Sequence, residues 1–402
     1  MRMATDRHAL SRREVLKLAA AGVPLIAAGG AALSRPASAR AGAPAIVKPL
    51  PPEWFVDYGS NAETRWEAMR GQPYLTPVSR FFVRNHTATP AIDPAAYRLS
   101  LSGSGLRGSA PVAFSLADLH AMPARTITAA IECAGNGRAF FGSVQKTPIT
   151  GTQWRLGAIG VARWRGVPLA EVLDRAGLTR HAVDVMAQGL DAEVVAGGGN
   201  QGHVRRPLAI AKALDDVLLA YEMNGADLTP DHGAPLRLVV PGWVGVASIK
   251  WVGSIEVSRT PLASFWSTAQ YRMAGPQYPA DAAPLTTQPV KSAFELAEGA
   301  AVGAGRRTRL TGRSWSGRAP IAKVEVSTDG GRSWHAAALH GADRPHAWQQ
   351  WSFDWTPRRP GQRTLIARAT DRHGEVQPDA VPYNTGGYQF WATVRHPVTV
   401  VS

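Results

Sequence analysis

Ala129-Ala130-Ile131-Glu132-Cys133-Ala134-Gly135-Asn136-Gly137-Arg138-Ala139-Phe140-Phe141 holds the single cysteine of a 402-residue chain. With no second thiol, Cys133 can form no disulfide within the chain. It follows a short apolar run, Ile127 to Ile131, that reads as a strand. It precedes a loop whose glycines at 135 and 137 let the backbone approach a ligand closely. A lone cysteine without context reads as a small buried hydrophobe. Its place between strand and glycine loop also suits a reactive or metal-bound sulfur. Arg138, five residues on, would lower the thiol pKa and favour the thiolate that binds soft metals.

Four further stretches stand in order around this loop. Phe81-Phe82-Val83-Arg84-Asn85-His86 lies upstream. Trp154-Arg155-Leu156-Gly157-Ala158-Ile159-Gly160 with Trp164, then Asp231-His232-Gly233, then Ser248-Ile249-Lys250-Trp251 lie downstream. In order and approximate spacing from about residue 75 to 275, the five resemble the sulfite oxidase family of molybdopterin oxidoreductases.

The resemblance implies Cys133 as a molybdenum ligand and Arg84 as a residue touching both sulfite and cofactor. It places Phe82, Val83, Asn85 and His86 beside the pterin, Asp191 as a pterin contact, and Ser248, Ile249 and Lys250 on the cofactor. His232 and Arg237 would hold the pterin's phosphate, a grouping that elementary chemistry supports because a dianion calls for imidazole, guanidinium and backbone amides together. Lys250, a charge between apolar neighbours, is costly unless an anion meets it. Arg84, Arg138 and Lys250 would neutralise the substrate dianion. Tyr271, 21 residues after Lys250, would orient it, and Trp154 would wall the pocket against water.

The composition, 45% hydrophobic and 18% charged, provides for two globular domains with buried cores. The formal charge is +14, of which the first 39 residues supply +4. A basic surface admits nucleic acid, but there is no zinc-finger spacing, no RNP-like aromatic pattern and no lysine-rich tract. An anionic substrate and an acidic protein partner account for the charge as well.

Ser11-Arg12-Arg13-Glu14-Val15-Leu16-Lys17, the apolar run Leu18 to Leu33 and the small residues Ala37-Ser38-Ala39 resemble a twin-arginine export signal over 1–39. This places the chain in the periplasm. A Sec signal or a retained N-terminal anchor is the alternative, although the broken apolar run is too short for a membrane span.

Further along, Tyr97 to Ser102 alternates as a strand, and Ser115 with Asp118 reads as a capped helix start. Val167 to Leu173 reads as an amphipathic helix, Leu208 to Leu214 as a short helix, and Val217 to Met223 as a buried strand ending in the Asn224-Gly225 turn. Gly197-Gly198-Gly199-Asn200-Gln201-Gly202 meets the G-x-G-x-x-G spacing by composition alone, because Pro207 follows and no βαβ unit surrounds it. Pro276, Pro279, Pro284 and Pro289 mark a boundary, beyond which short alternating strands and the Asp329-Gly330 turn read as a β-sandwich.

The expected fold is thus an α+β sulfite oxidase-type molybdopterin domain over 40–280, followed by an all-β immunoglobulin-like dimerisation domain over 281–402. One departure from the family stands out. Its Trp-Asn-x-Arg-Gly segment is here Tyr383-Asn384-Thr385-Gly386-Gly387, so the arginine that helps bind sulfite is missing; either Arg395 or another cation replaces it, or the substrate is bound with one fewer charge.

The expected activity is oxidation of sulfite to sulfate at one molybdenum–molybdopterin per chain. No Cys-x-x-Cys-His haem attachment exists here, so no haem is expected in the chain and electrons would pass to an external cytochrome c. A related enzyme acting on sulfane sulfur, or a non-enzymatic exported binding module, are the alternatives. The sequence lacks the G-x-S-x-G and H-E-x-x-H patterns of the common hydrolases.

Overall fold

The alternation at Tyr97 to Ser102 forms the strand Arg98–Ser102, whose Leu99 and Leu101 are completely buried. It runs parallel to Val252–Ser258 in a five-stranded sheet ordered Arg205–Ala209, Asp184–Gly189, Val252–Ser258, Arg98–Ser102, Val112–Ser115, whose other pairings are antiparallel. The computed structural model describes residues 45–402; the export signal expected over 1–39 lies outside the described residues. Among the described residues no helix is long and apolar enough to cross a membrane.

The run before Cys133 forms the strand Arg125–Glu132, longer than its apolar centre. It pairs with Ile159–Pro168, which in turn pairs with Leu218–Met223. The short strand Arg237–Val239 adds to the far side of Leu218–Met223. Leu99, Leu101, Val167, Leu173, Leu208, Leu219 and Leu238 belong to one buried cluster that joins both sheets. Ser115 caps the helix Leu116–Ala121, accepting from the Asp118 N–H at 3.1 Å while the Asp118 carboxylate accepts from the Ser115 N–H at 2.8 Å. The glycine run at 197 to 199 makes a hairpin between Val195–Ala196 and Gly199–Asn200, not a strand-to-helix phosphate loop.

Two cleft segments depart from regular strand geometry. The 80–86 segment is strand only at Val83–Arg84, entered by the 3-10 turn Val78–Arg80. It pairs there with Asn61–Thr64, and its remaining polar groups turn inward instead of continuing a ladder. Lys250 does not sit within a strand, because Val252–Ser258 begins two residues later. The Leu238 N–H donates to Ile249 O at 2.8 Å and the Val252 N–H to Leu236 O at 3.0 Å, while Trp251 takes a left-handed φ of 52° between them.

From Lys291 onward two sheets pack face to face. One is ordered Lys291–Phe294, Thr308–Trp315, Trp348–Trp355, Ala338–His340; the other is Ala301–Gly303, His396–Val401, Gly361–Asp371, Ile321–Ser327, His335–Ala336. Val290, Leu310, Val324, Val326, Trp351, Leu365 and Val398 fill the space between them. A second cluster unites the sandwich with the earlier sheets: Phe140, Phe141, Ile159 and Val161 pack with Trp315, Trp348 and Phe390. Arg313, completely buried, pairs with Glu295 at 2.6 Å and donates to Tyr74 O at 3.1 Å across the same seam.

Candidate active site

Cys133 stands where the Arg125–Glu132 strand gives way to a tight turn. Its N–H donates to Ala158 O at 2.9 Å, and its carbonyl accepts from the Asn136 N–H at 2.9 Å. Gly137 has a φ of +98°, and a Cβ there would press on Phe390 at 3.0 Å, so both backbone angle and space call for glycine. The thiol lies on the wall of a cleft.

That cleft collects side chains distant in sequence. Phe82, Arg84, Asn85 and His86 come from the segment that turns inward after Val83. Asp191 follows the strand Asp184–Gly189, His232 and Arg237 flank the turn before Arg237–Val239, and Ser248, Ile249, Lys250 and Tyr271 complete the wall with Cys133. Asp231 and Trp251 also line it.

Three cations meet here with no ion-pair partner among the described residues. Arg84 donates to Asn61 Oδ1 at 3.3 Å, to the Asn85 carbonyl and to the Tyr271 hydroxyl at 3.4 Å. Arg237 donates only to carbonyls, those of His232 at 2.8 Å, Ser248 at 3.1 Å and Leu238 at 3.3 Å. Burial pulls its pKa down to about 9. Lys250 donates to Asn85 Oδ1 and to Asp231 O at 2.8 Å, and burial, then the neighbouring Arg237 charge, holds its pKa well below the lysine range.

Burial disfavours the charged form of both histidines. Burial lowers the pKa of His86, assisted by the Arg84 and Lys250 charges, and burial lowers that of His232, assisted by Lys48, Lys250 and Arg237. His86 Nε2 lies 2.9 Å from the Tyr271 hydroxyl, whose own ionisation burial pushes above its ordinary value. Tyr271 holds a left-handed φ of 54°, as Trp251 does, which is uncommon for aromatic residues and costs of order 1 kcal/mol each.

The Asp231 carboxylate is fully committed. It accepts from the Val47 N–H at 3.0 Å, the Lys48 N–H at 2.7 Å and the Thr89 hydroxyl at 2.6 Å, which ties the chain at 45–48 to the cleft.

These features fit an anionic group. His232 Nε2 is buried on the cleft wall without a hydrogen-bond partner among the described residues, beside two cations, Arg237 and Lys250, whose charges are not neutralised. A phosphate would satisfy all three. Asp191, whose pKa burial raises, offers an acceptor for the polar edge of a heterocycle. A metal held by such a group would meet Cys133 as the protein's own sulfur ligand.

Three expected site residues stand outside the cleft wall. Val83 packs instead with Ile46, Phe55 and Ala62, because its side chain points to the opposite face from Arg84. Trp154 is buried in the cluster of Phe81, Phe82 and Cys133 and meets Tyr58 edge to face at 5.4 Å, so it backs the wall without forming it. The Arg138 guanidinium lies back over its own loop, donating to Gly386 O at 3.0 Å and Thr152 O at 3.0 Å.

Nor does Arg395 replace the missing arginine: it is exposed on the sandwich and donates to Gly330 O at 3.3 Å. At Gly386 a Cβ would come within 2.3 Å of the Tyr388 ring, which stacks on Tyr271 at 5.1 Å. Two cations escaped sequence reading. Arg206 is 1% exposed, donates to Trp266 O at 2.8 Å, and is held to about 10 by burial against the opposing influence of Tyr271 and Tyr388. Lys48 donates to Val78 O and Phe81 O at 3.0 and 2.9 Å. Nothing in their sequence neighbourhood marks either; only a buried arginine within the Arg205–Ala209 strand breaks its apolar pattern.

A cleft that joins a single thiol to unneutralised cations and a partnerless imidazole suits an anionic group that carries a soft metal. The comparisons agree: the chain matches the oxidoreductase molybdopterin-binding domain over residues 86–266 and the Mo-co oxidoreductase dimerisation domain over 286–399. Human mitochondrial sulfite oxidase is 39% identical over 341 residues, covering 80% of this chain and 60% of that protein. Sulfite oxidase of Arabidopsis thaliana is 31% identical over 347 residues, covering 80% and 86%. The crystal structure of the sulfane dehydrogenase SoxCD from Paracoccus pantotrophus superposes with a TM-score of 0.71 at 27% identity, covering 87% of this chain and 89% of that one. The chain belongs to the sulfite oxidase family, with its molybdopterin-binding domain followed by an immunoglobulin-like sandwich. It spans 60% of the length of the mammalian relatives it matches.

Proposed function

We propose that the chain oxidises sulfite to sulfate, taking up water and releasing two protons and two electrons, in the periplasm after twin-arginine export. The observation that carries this reading is the meeting of Cys133 with Arg84, Lys250 and Arg237 in one cleft. His232, Arg237 and Lys250 would hold the phosphate of molybdopterin, Asp191 and Asn85 its polar ring edges, and Cys133 its metal. When bound, the molybdenum group supplies the two-electron exchange and oxygen transfer to sulfur.

The chain's own residues bind and orient the anion. Arg84 offers a guanidinium already fixed by Asn61 and Asn85, and Tyr271 a hydroxyl set by His86 Nε2 at 2.9 Å. Neutral His86 is a proton acceptor reachable through that hydroxyl. With one cysteine the chain has no two-thiol haem attachment, so an external cytochrome c is the proposed electron acceptor. The dimerisation-domain match supports a homodimer.

A second reading, oxidation of a sulfane-sulfur compound, draws on the Gly386 turn. Arg138 is tied to a carbonyl there and the Tyr388 ring fills the space a side chain at 386 would need, leaving Arg84 as the cation beside Tyr271. The likeness to SoxCD supports it further. The experiment is molybdenum content of mature protein followed by cytochrome c reduction with sulfite or a persulfide. About one metal per chain with sulfite-driven reduction supports the first reading. Metal with persulfide-driven reduction only supports the second, and metal-free mature protein refutes both.

A further inference from the structure

The strand that carries the cysteine ends in a carboxylate neutralised from the other half of the molecule. Glu132 and Lys291 are each 1% exposed. Lys291, first residue of the sandwich strand Lys291–Phe294, donates through Nζ to Glu132 Oε1 at 2.8 Å and to Asn136 O at 2.7 Å. Asn136, completely buried, donates through Nδ2 to the same Glu132 oxygen at 2.9 Å and accepts from the Ala158 N–H at 3.0 Å. The two residues gripped by this ammonium stand one position before and three positions after Cys133, and the turn between them is closed by the Asn136 N–H to Cys133 O bond at 2.9 Å. Glu132 Oε2 has no partner among the described residues, so Lys291 is the only cation meeting this buried carboxylate.

We propose that Lys291 is a positioning residue for Cys133: its ammonium, by joining the Glu132 side chain to the Asn136 carbonyl, fixes the turn that presents the sulfur to the cleft. The catalytic consequence rests on Cys133 being the metal ligand; the placement of the thiol does not. Removing the ammonium leaves a buried carboxylate and a buried carbonyl unpaired, and opening the turn to water is the relief nearest to hand. Replacing both charges by amides, Glu132→Gln with Lys291→Gln, keeps a donor for the carbonyl and an acceptor for Asn136 while abolishing the need for a counter-charge.

Because the chain has one cysteine, alkylation of the full-length cofactor-free protein by iodoacetamide reads Cys133 alone. Lys291→Met is expected to speed alkylation roughly tenfold and, in molybdenum-loaded enzyme, to lower kcat by roughly 10–100-fold with KM little changed, the scale of lost outer-sphere partners. The Gln–Gln pair is expected to bring both back towards the wild-type values. Val326→Ala, a core truncation in the sandwich away from this contact, is the control for lost stability and should leave alkylation unchanged.

A folded Lys291→Met protein that alkylates like the wild type overturns the proposal, as does equal acceleration in Val326→Ala. If Lys291→Met does not fold, Lys291→Gln compared with the Gln–Gln pair decides: the proposal stands if adding Glu132→Gln slows alkylation and falls if it does not. Wild-type-like sulfite oxidation by molybdenum-loaded Cys133→Ser would refute the metal-ligand reading and leave this alkylation result intact.

Discussion

Arg237→Met should uncouple the cofactor from the protein's stability. Arg237 is 4% exposed, its guanidinium donates only to carbonyls and lies over the Trp164 ring at 5.0 Å, and burial pulls its pKa down to about 9. A depression of that size from the ordinary guanidinium value corresponds to about 5 kcal/mol of desolvation carried by the cofactor-free protein. A phosphate in contact with Arg237 and His232 would offset most of it. At about 2.1 cal/mol/K of unfolding entropy per residue, 5 kcal/mol on a chain of this size is a Tm difference of about 6–7 °C between loaded and cofactor-free forms. In Arg237→Met the cofactor-free form no longer carries the buried charge, although three carbonyls lose their donor, so its Tm should change little. The loaded form should gain much less, and purified protein should lose most of its pterin phosphate and molybdenum. Differential scanning calorimetry on both forms, with phosphate and metal analysis of the same samples, measures this. An Arg237→Met protein with stoichiometric cofactor and the wild-type Tm difference would refute the phosphate cradle.

Arg84→Met removes the charged contact nearest Tyr271 and should raise the sulfite KM by about 10–100-fold, the value of a charged hydrogen bond, with little change in Tm; steady-state kinetics with an unchanged KM would take Arg84 out of substrate binding. Asp231→Asn weakens the hold on the Val47 and Lys48 amides, so limited proteolysis should cut near residues 45–48 faster than in the wild type, and an unaltered digestion pattern would deny Asp231 that role. Burial lowers Lys48 to about 7, against the opposing pull of Asp231, so between about pH 7 and 10.5 the unfolded chain binds more protons and stability rises with pH. Lys48→Met should flatten that rise in urea titrations across the interval, and an unchanged slope would locate the titration elsewhere.

Much of the cleft was legible through the five ordered runs that carry the family resemblance, and Lys250 also through its charge between Ile249 and Trp251. The strands were legible where alternation was strict, as at Leu99 and Leu101, and the Ser115 cap where the spacing to Asp118 was set. What could not be read was side-chain direction fixed by distant backbone. Arg138 follows the cysteine closely enough to serve it, yet its donors are taken by Gly386 O, 248 residues away. Trp154 turns to Tyr58, and Asp231, quoted for its neighbour His232, spends its carboxylate on an arm 183 and 184 residues earlier. Nothing local reveals that the partner of Lys291 is Glu132, 159 positions back.

The shared cluster of Phe140, Phe141 and Ile159 with Trp315, Trp348 and Phe390 bears on where the chain can be divided. A protease nick or a gene split between the helix Phe265–Thr268 and the strand Lys291–Phe294 looks harmless on paper, since the connection carries four prolines and no regular element. The amino-terminal fragment would nevertheless be left with exposed phenylalanines, and without the Phe390 ring against which Gly137 is fitted. The two fragments would therefore be recovered as a non-covalent pair or as aggregate, and an isolated amino-terminal fragment would lack a shaped cysteine turn even with every cleft residue present.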